Sequence, residues 1–255
     1  MTALGHPPVP KRYRGVWQRT LLQTPTQRDT TTWVRWLQTA CHHGDLRVPA
    51  ADSQSPARPA SLAACQGFSG VTQVDQHNGG EVCAWHRQID LQPPGLHPDA
   101  GRILFDGNDR LIETGVHGDY LEIWERLPGS GGRCLVLEEV LDTSANTLAP
   151  QPARLLVAGR WLMRLRPRTV GWPADTRPGN TLADVVARNP AAADALLDFE
   201  ITFGDWHNGL LTIESSTVAA LAGTAERCEI RRTSAGEAQV DGPAGTTGWR
   251  VLEWA

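Results

Sequence analysis

Lysine is almost missing from this chain: of 24 basic residues only Lys11 is not an arginine. Base composition accounts for such a bias by itself. The sharper reading is that several arginines make planar, forked or stacking contacts that an ammonium cannot reproduce. No CxxC pair occurs among the 5 cysteines, which are odd in number and widely scattered. That spacing argues against a disulfide framework or a zinc ribbon and fits reduced thiols in a cytoplasmic protein. No apolar run approaches the roughly 20 residues of a membrane-spanning helix, so a soluble protein is expected. With a formal net charge of −4 the chain offers no basic surface for nucleic acid or an anionic membrane.

The usual catalytic signatures are absent too. Gly67-Phe68-Ser69-Gly70 lacks the spacing of a nucleophile elbow, and no glycine-rich phosphate loop precedes a helix. No HExxH or His–carboxylate cluster at ligand spacing is present, so no metal is expected. These absences argue against serine hydrolases of that fold, P-loop hydrolases and Rossmann dehydrogenases.

What is present is a series of short alternating runs separated by Gly, Asn, Asp and Pro, the pattern of an antiparallel barrel or sandwich. Strands are expected at about 13–22, 30–38, 44–48, 68–74, 81–92, 100–105, 110–115 and 119–127, with a hairpin turn over Cys41 to Gly44. A short helix capped by Ser61 is expected near residues 60–66. Residues 1–12 are expected to be a flexible leader, 13–128 a first barrel, and Gly129 to Gly132 a linker. Residues 133–255 form a second, less regular barrel with one helical segment over about 181–197, broken by Pro190. The fold class is therefore all-β, two antiparallel barrels in tandem.

Gly15-Val16-Trp17 and Gly159-Arg160-Trp161 each open a strand, and the first is matched by a last strand carrying Trp124-Glu125-Arg126. This pairing resembles the calycin superfamily of lipocalins and fatty-acid-binding proteins. The resemblance implies that Trp17 lies across the closed end of a barrel and packs on Arg126, with Arg250 a weaker counterpart opposite Trp161. The longer phrases Tyr13 to Trp17, Asp29 to Val34 and Glu113 to Trp124 resemble an uncharacterised bacterial family with a distant fungal double-barrel relative.

Alternation sorts the faces. If Trp17 points inward, so do Tyr13, Arg19 and Leu21; if Arg126 does, Tyr120, Glu122 and Trp124 accompany it. First and last strands are neighbours in a closed barrel, so Arg19 and Glu122 are expected to meet inside. Trp33, Arg35 and Leu37 share one face of the second strand, and Cys83, Trp85, Arg87 and Ile89 one face of the fifth. Aromatic walls with a few polar groups describe a pocket for a small apolar or aromatic molecule, neutral or anionic. Arg19, Trp33, Arg35, Trp85, Arg87, Tyr120 and Trp124 are its candidate ligand-binding residues.

Packing of Trp and Arg against each other explains many of these residues equally well. His86 and His117, with Glu113 or Glu122, are candidate acid–base groups for a cofactor-independent lyase or isomerase. No cofactor is called for, a haem held by such a histidine being the alternative. A third reading is a structural module with side-chain-filled barrels. A monomer or a homodimer fits equally, and the partner expected is the small ligand alone.

Overall fold

The computed structural model describes residues 7–50, 62–77, 80–141 and 151–255. The first half folds as β1 (Gly15–Gln23), β2 (Arg28–Asp29), β3 (Trp33–Gln38), β4 (His42–Val48), β5 (Gln66–His77), β6 (Gly80–Asp90), β7 (Asp99–Phe105), β8 (Arg110–Gly115) and β9 (Leu121–Arg126). The strands run antiparallel in the order β2-β1-β3-β4-β5-β6-β7-β8-β9, and pairing of β1 with β9 closes the barrel. Trp17 stands opposite both Trp36 on β3 and Arg126 on β9. Two bulges redirect side chains. Thr20 is the extra residue between the Arg19 and Leu21 pairings on β1, and Gln88 that between the Arg87 and Ile89 pairings on β6. A bulge reverses the alternation beyond it, so Leu22, not Leu21, faces inward, and Ile89 turns outward. The turn before β4 is Thr39 to Cys41, and His42 to Gly44 belong to the strand. The cap expected at Ser61 lies outside the described residues.

The second half contains β10 (Cys134–Glu139), β11 (Arg154–Ala158), β12 (Trp161–Arg166), β13 (Glu200–His207), β14 (Leu210–Ser216), β15 (Ala225–Arg227), β16 (Glu229–Arg232), β17 (Glu237–Gly242) and β18 (Gly245–Trp254). Their order is β15-β14-β13-β12-β11-β10-β18-β17-β16, antiparallel throughout. The two edge strands, β15 and β16, are separated in sequence only by Cys228. One bent segment thus pairs with β14 on one side and β17 on the other, and the chain itself closes the ring. Two short helices, α1 (Leu182–Arg188) and α2 (Ala193–Leu197), flank Pro190, and Thr181 caps α1 through a reciprocal bond pair with Asp184. The helical segment is split where the proline predicts.

The barrels share an apolar seam. Val16, Leu37, Leu46 and Ile89 of the first are buried in one cluster with Val136, Leu156, Met163 and Phe203 of the second, and with Leu182, Val185 and Leu196 of the helices. Two glycines make the close approach possible: a Cβ at Gly44 would lie 2.7 Å from Met163 Sδ, and one at Gly67 2.2 Å from Ile201 Cδ1. Arg168 pins the helical side, donating to Leu196 O at 2.9 Å and Leu91 O at 2.5 Å with its guanidinium over Trp172. Burial lowers its pKa to about 10, against the opposing pull of Asp90.

Neither the leader nor the linker hangs loose in the described residues. Val9 is buried and donates to Ala40 O, and Lys11–Tyr13 form a 3-10 turn that brings Tyr13 into the core. Gly129 O accepts from Arg160 N, and buried Ser130 donates to Leu127 O at 2.6 Å. A polar clamp completes the seam. The Glu253 carboxylate on β18 accepts from the backbone N–H groups of Ala40, Cys41 and His42, from the Thr39 hydroxyl, and meets His42 Nδ1 at 2.5 Å. Burial raises the Glu253 pKa, but these bonds outweigh it and hold the group below its ordinary 4.5.

Glu253→Ala strands several buried donors, and chemical denaturation should show a loss of about 3–5 kcal/mol. The clamp's contribution is present above the ordinary carboxylate pKa and fades as pH falls through the depressed one. The difference between wild type and variant should therefore shrink in acid, measured by denaturation from neutral pH downward.

Candidate functional site

The closed end of the first barrel is sealed by aromatic packing. Arg126 lies 4.1 Å above the Trp17 ring, donates to Arg12 O at 2.7 Å and to Arg14 O, and pairs with Asp109 at 3.0 Å. Trp17 Nε1 donates to Tyr13 O at 2.7 Å, and the Tyr13 hydroxyl to Glu81 at 2.8 Å. The Trp17–Arg126 contact expected from the sequence is made. Trp36, next inward, stacks on Trp17 and meets Trp85 and Trp124 edge-on.

At the other end the barrel is hollow, with a cavity of about 490 Å³. Trp36, Phe68, Trp85 and Trp124 supply its apolar wall. Its polar wall comes from β1, β2, β4 and β7 to β9. Arg19 bonds Glu122 at 2.6 Å and Asp29 at 3.3 Å, so the meeting of Arg19 with Glu122 inside the barrel is observed. Arg47 bonds Asp45 at 2.8 Å. Glu113 lies directly opposite Glu122 in the β8–β9 ladder and accepts from the Tyr120 hydroxyl at 2.8 Å. Burial, then the charge of Glu122, pushes the Glu113 pKa well above its ordinary value, against the Tyr120 hydrogen bond. Asp29 goes the other way: burial raises it, but hydrogen bonds from Thr32 and Thr31 outweigh that and hold it low. The cavity thus contains two carboxyls shifted in opposite directions, Glu113 toward the neutral form and Asp29 toward the charged one, a division of roles that suits proton transfer or cation recognition.

Of the expected site residues, Arg19, Trp85, Tyr120, Trp124, Glu113 and Glu122 all line this cavity. Arg87 sits at its edge, 3.5 Å from the Phe68 ring centroid and 2.6 Å from Asp99, which does line it. Trp33 and Arg35 are on the opposite face of β3. Trp33 packs edge-on against Phe203 of the second barrel, and Arg35 lies over Trp33 and 4.0 Å from Glu214. Their face of β3 is covered by the neighbouring barrel rather than by a ligand. His86 is exposed and meets Gln73 at 3.1 Å on the outside, and His117 is exposed and stacked on His97. Neither histidine is among the residues lining the cavity. The interior histidine is His43, fully buried, with Nδ1 at 3.0 Å from the Thr72 hydroxyl. Burial and the nearby Arg87 charge hold its pKa well below 6.5, so it is neutral. His42 and His43 do face opposite ways, one to the clamp and one to the interior.

Asp29, Asp45, Arg47, Phe68 and Asp99 belong to the cavity wall and were not anticipated. Asp45 and Arg47 alternate along β4 in step with His43; both lie inside the strand expected at 44–48, but with His43 assigned to the preceding turn their shared face was not recognised. Of the arginines expected to meet a ligand, Arg19 and Arg87 each already hold at least one carboxylate, as does the unanticipated Arg47.

The second Gly-x-Trp is not a second barrel closure. Trp161 points into the seam, donating to Pro128 O at 2.8 Å and stacking on Phe203, while Arg250 pairs with Glu138. The second interior is filled by Leu135, Leu155, Val157, Leu162, Trp206 and Trp249. Arg164 joins that packing through bonds to Glu200 and Glu226.

No protein-family model matches the chain, and no curated protein sequence does. In structure it is similar to the uncharacterized protein YLR301w from Saccharomyces cerevisiae, with a TM-score of 0.56 and 15% identity over 94% of this chain and 98% of that one. At that identity the likeness speaks for the two-barrel fold alone. Among the described residues no helix is long and apolar enough to cross a membrane.

Because the raised Glu113 binds its proton more tightly folded than unfolded, stability is fullest below its ordinary 4.5 and declines as pH rises through the raised value. Glu113→Gln should flatten that decline and melt higher than wild type at neutral and alkaline pH. A pH series of thermal melts on both proteins checks it.

Proposed function

We propose that the first barrel binds a small molecule with a flat apolar ring in its open end. The observation that supports this most is the hollow itself: a cavity of about 490 Å³ between an aromatic wall and a polar one, in a chain whose second barrel is filled. Cavities of this size and mixed lining are those that take drug-sized ligands. The ring would lie against Trp36, Trp85, Trp124 and Phe68, and the polar wall would fix its orientation. A calycin-like relationship is part of the same reading, supported by the Trp17–Arg126 closure at the opposite end. A reducing, cytoplasmic setting agrees with five cysteines that are all thiols.

A second reading, a cofactor-independent lyase or isomerase, is favoured by the paired Glu113 and Glu122. One is poised to give a proton and the other, held by Arg19, to accept one. His86 and His117 have no part in this version, since both are exposed away from the cavity wall.

Ala64 is exposed on the cavity's rim, so Ala64→Trp should obstruct entry without disturbing the core. Native mass spectrometry and a thermal-shift screen of ring-bearing compounds should yield a ligand whose affinity falls about tenfold or more, at least 1.4 kcal/mol, in this variant. Equal binding by wild type and Ala64→Trp would exclude the first barrel as the site.

A further inference from the structure

The charges of the cavity wall do not balance, and the imbalance is localised. Arg19 serves Glu122 and Asp29, Arg47 serves Asp45, and Arg87 serves Asp99. Among the described residues Glu113 has only the neutral Tyr120 hydroxyl at hydrogen-bond distance. Like-charged residues directly opposed across a ladder destabilise a sheet, and the adjacent pairing of Leu111 with Trp124 shows the apolar alternative that packing alone would favour. The fold nonetheless makes room for the carboxyl. A Cβ at Gly101 on the neighbouring strand would sit 2.6 Å from Glu113 Oε1. A second observation lies on the same wall: Trp124 is 1% exposed, lines the cavity, and its indole N–H has no acceptor among the described residues. The site therefore presents a missing positive charge beside a missing hydrogen-bond acceptor.

Resting on the ligand-binding reading above, we infer that the ligand is an organic monocation, a ring-bearing amine with a hydroxyl or carbonyl oxygen. Its ammonium lies between Glu113 and Glu122, its ring against the tryptophans, and its oxygen accepts from Trp124 Nε1. An inorganic ion fits less well, because no group of three or more His, Cys, Asp or Glu among the described residues converges to hold one. An anion would meet carboxylates whose arginine partners are already engaged. The ammonium also supplies the counter-charge that Glu113 lacks. Binding therefore drives the Glu113 proton into solution: the protonated amine enters, one proton leaves to the buffer, and both carboxyls are ionised in the complex.

The groups facing Glu113 are Glu122 on β9, Tyr120 before it, Asp99 on β7, Arg47 on β4 and Cys83 on β6, with Arg19 reaching it through Glu122. None but Glu113 changes charge in this account. Affinity for the amine should then rise with pH until Glu113 ionises in the free protein.

The test is isothermal titration calorimetry with three probes sharing one ring: tyramine, its neutral alcohol tyrosol, and 4-hydroxyphenylacetate. Runs across pH 5–8 in two buffers of different protonation enthalpy count the protons released. Tyramine should bind about tenfold or more tighter than either analogue, with proton release that approaches one toward the acid end of that range. Glu113→Gln, which the stability argument expects to fold well, should abolish both the release and the preference. Tyrosol or the acid binding as tightly as tyramine overturns the cation inference while leaving the pocket standing. So does failure of all three probes when a screened ligand is still blocked by Ala64→Trp. If Ala64→Trp blocks nothing, the pocket itself is lost and the inference with it.

Discussion

A β-barrel ordinarily shows its outer face to water, so its strands alternate between apolar and polar side chains. Here the outer faces of β1, β3, β4 and β6 carry Val16, Leu37, Leu46 and Ile89, and the second barrel answers with Val136, Leu156, Met163 and Phe203. Separating the barrels would expose all of these at about 25 cal/mol for each Å² of apolar surface. The seam also fixes the small details of both sheets. Glycine stands at 44 and 67 because the neighbour's Met163 and Ile201 occupy the space a side chain would need. Glycine at 70 is required for a different reason, the bulge at Gln88, which brings His86 O within 1.9 Å of where its Cβ would be.

With apolar burial concentrated at the seam and at the closed end, the open end of the first barrel can carry features that weaken a sheet. Trp17, Trp36 and Trp124 are fully or almost fully buried, and Arg126 caps them. From there outward the interior passes from stacked rings to Arg19, Arg47 and five carboxyl groups. Among the described residues the second barrel has no such gradient; its interior is mainly leucine, valine and tryptophan, with Arg164 tied to Glu200 and Glu226. Two sheets of the same strand number have thus been put to different uses, one as a container and one as a buttress.

How much of this could be read from residues follows from the same contrast. Strand order, the Arg19–Glu122 contact and the Trp17–Arg126 closure depend on local alternation and on first and last strands meeting, and both are written in the sequence. Alternation cannot say which face is inside when both are buried, and that is why Trp33 and Arg35 seemed as good a wall as Val34 and Trp36. Nor does it announce a bulge: Thr20 and Gln88 look like any strand residue, yet each turns the rest of its strand over. The second Gly-x-Trp misled because Trp161 is needed by the seam, a contact between segments far apart in the chain. His43 was lost to a turn placed a few residues too late, and Asp45 and Arg47, though inside the expected strand, could not be sorted onto a face without it.

The Glu253 clamp has a consequence in time. Its carboxylate closes a turn made by residues that precede it by 211 to 214 positions. At ordinary rates of translation the Thr39 to His42 turn is made on the order of ten seconds or more before its anion is. During that interval the first barrel can pair its strands, but its turn amides face water and its outer apolar face has no partner. Completion of β18 delivers the anion and the final strand of the second barrel together. The first barrel, made earliest, is thus finished no sooner than the second.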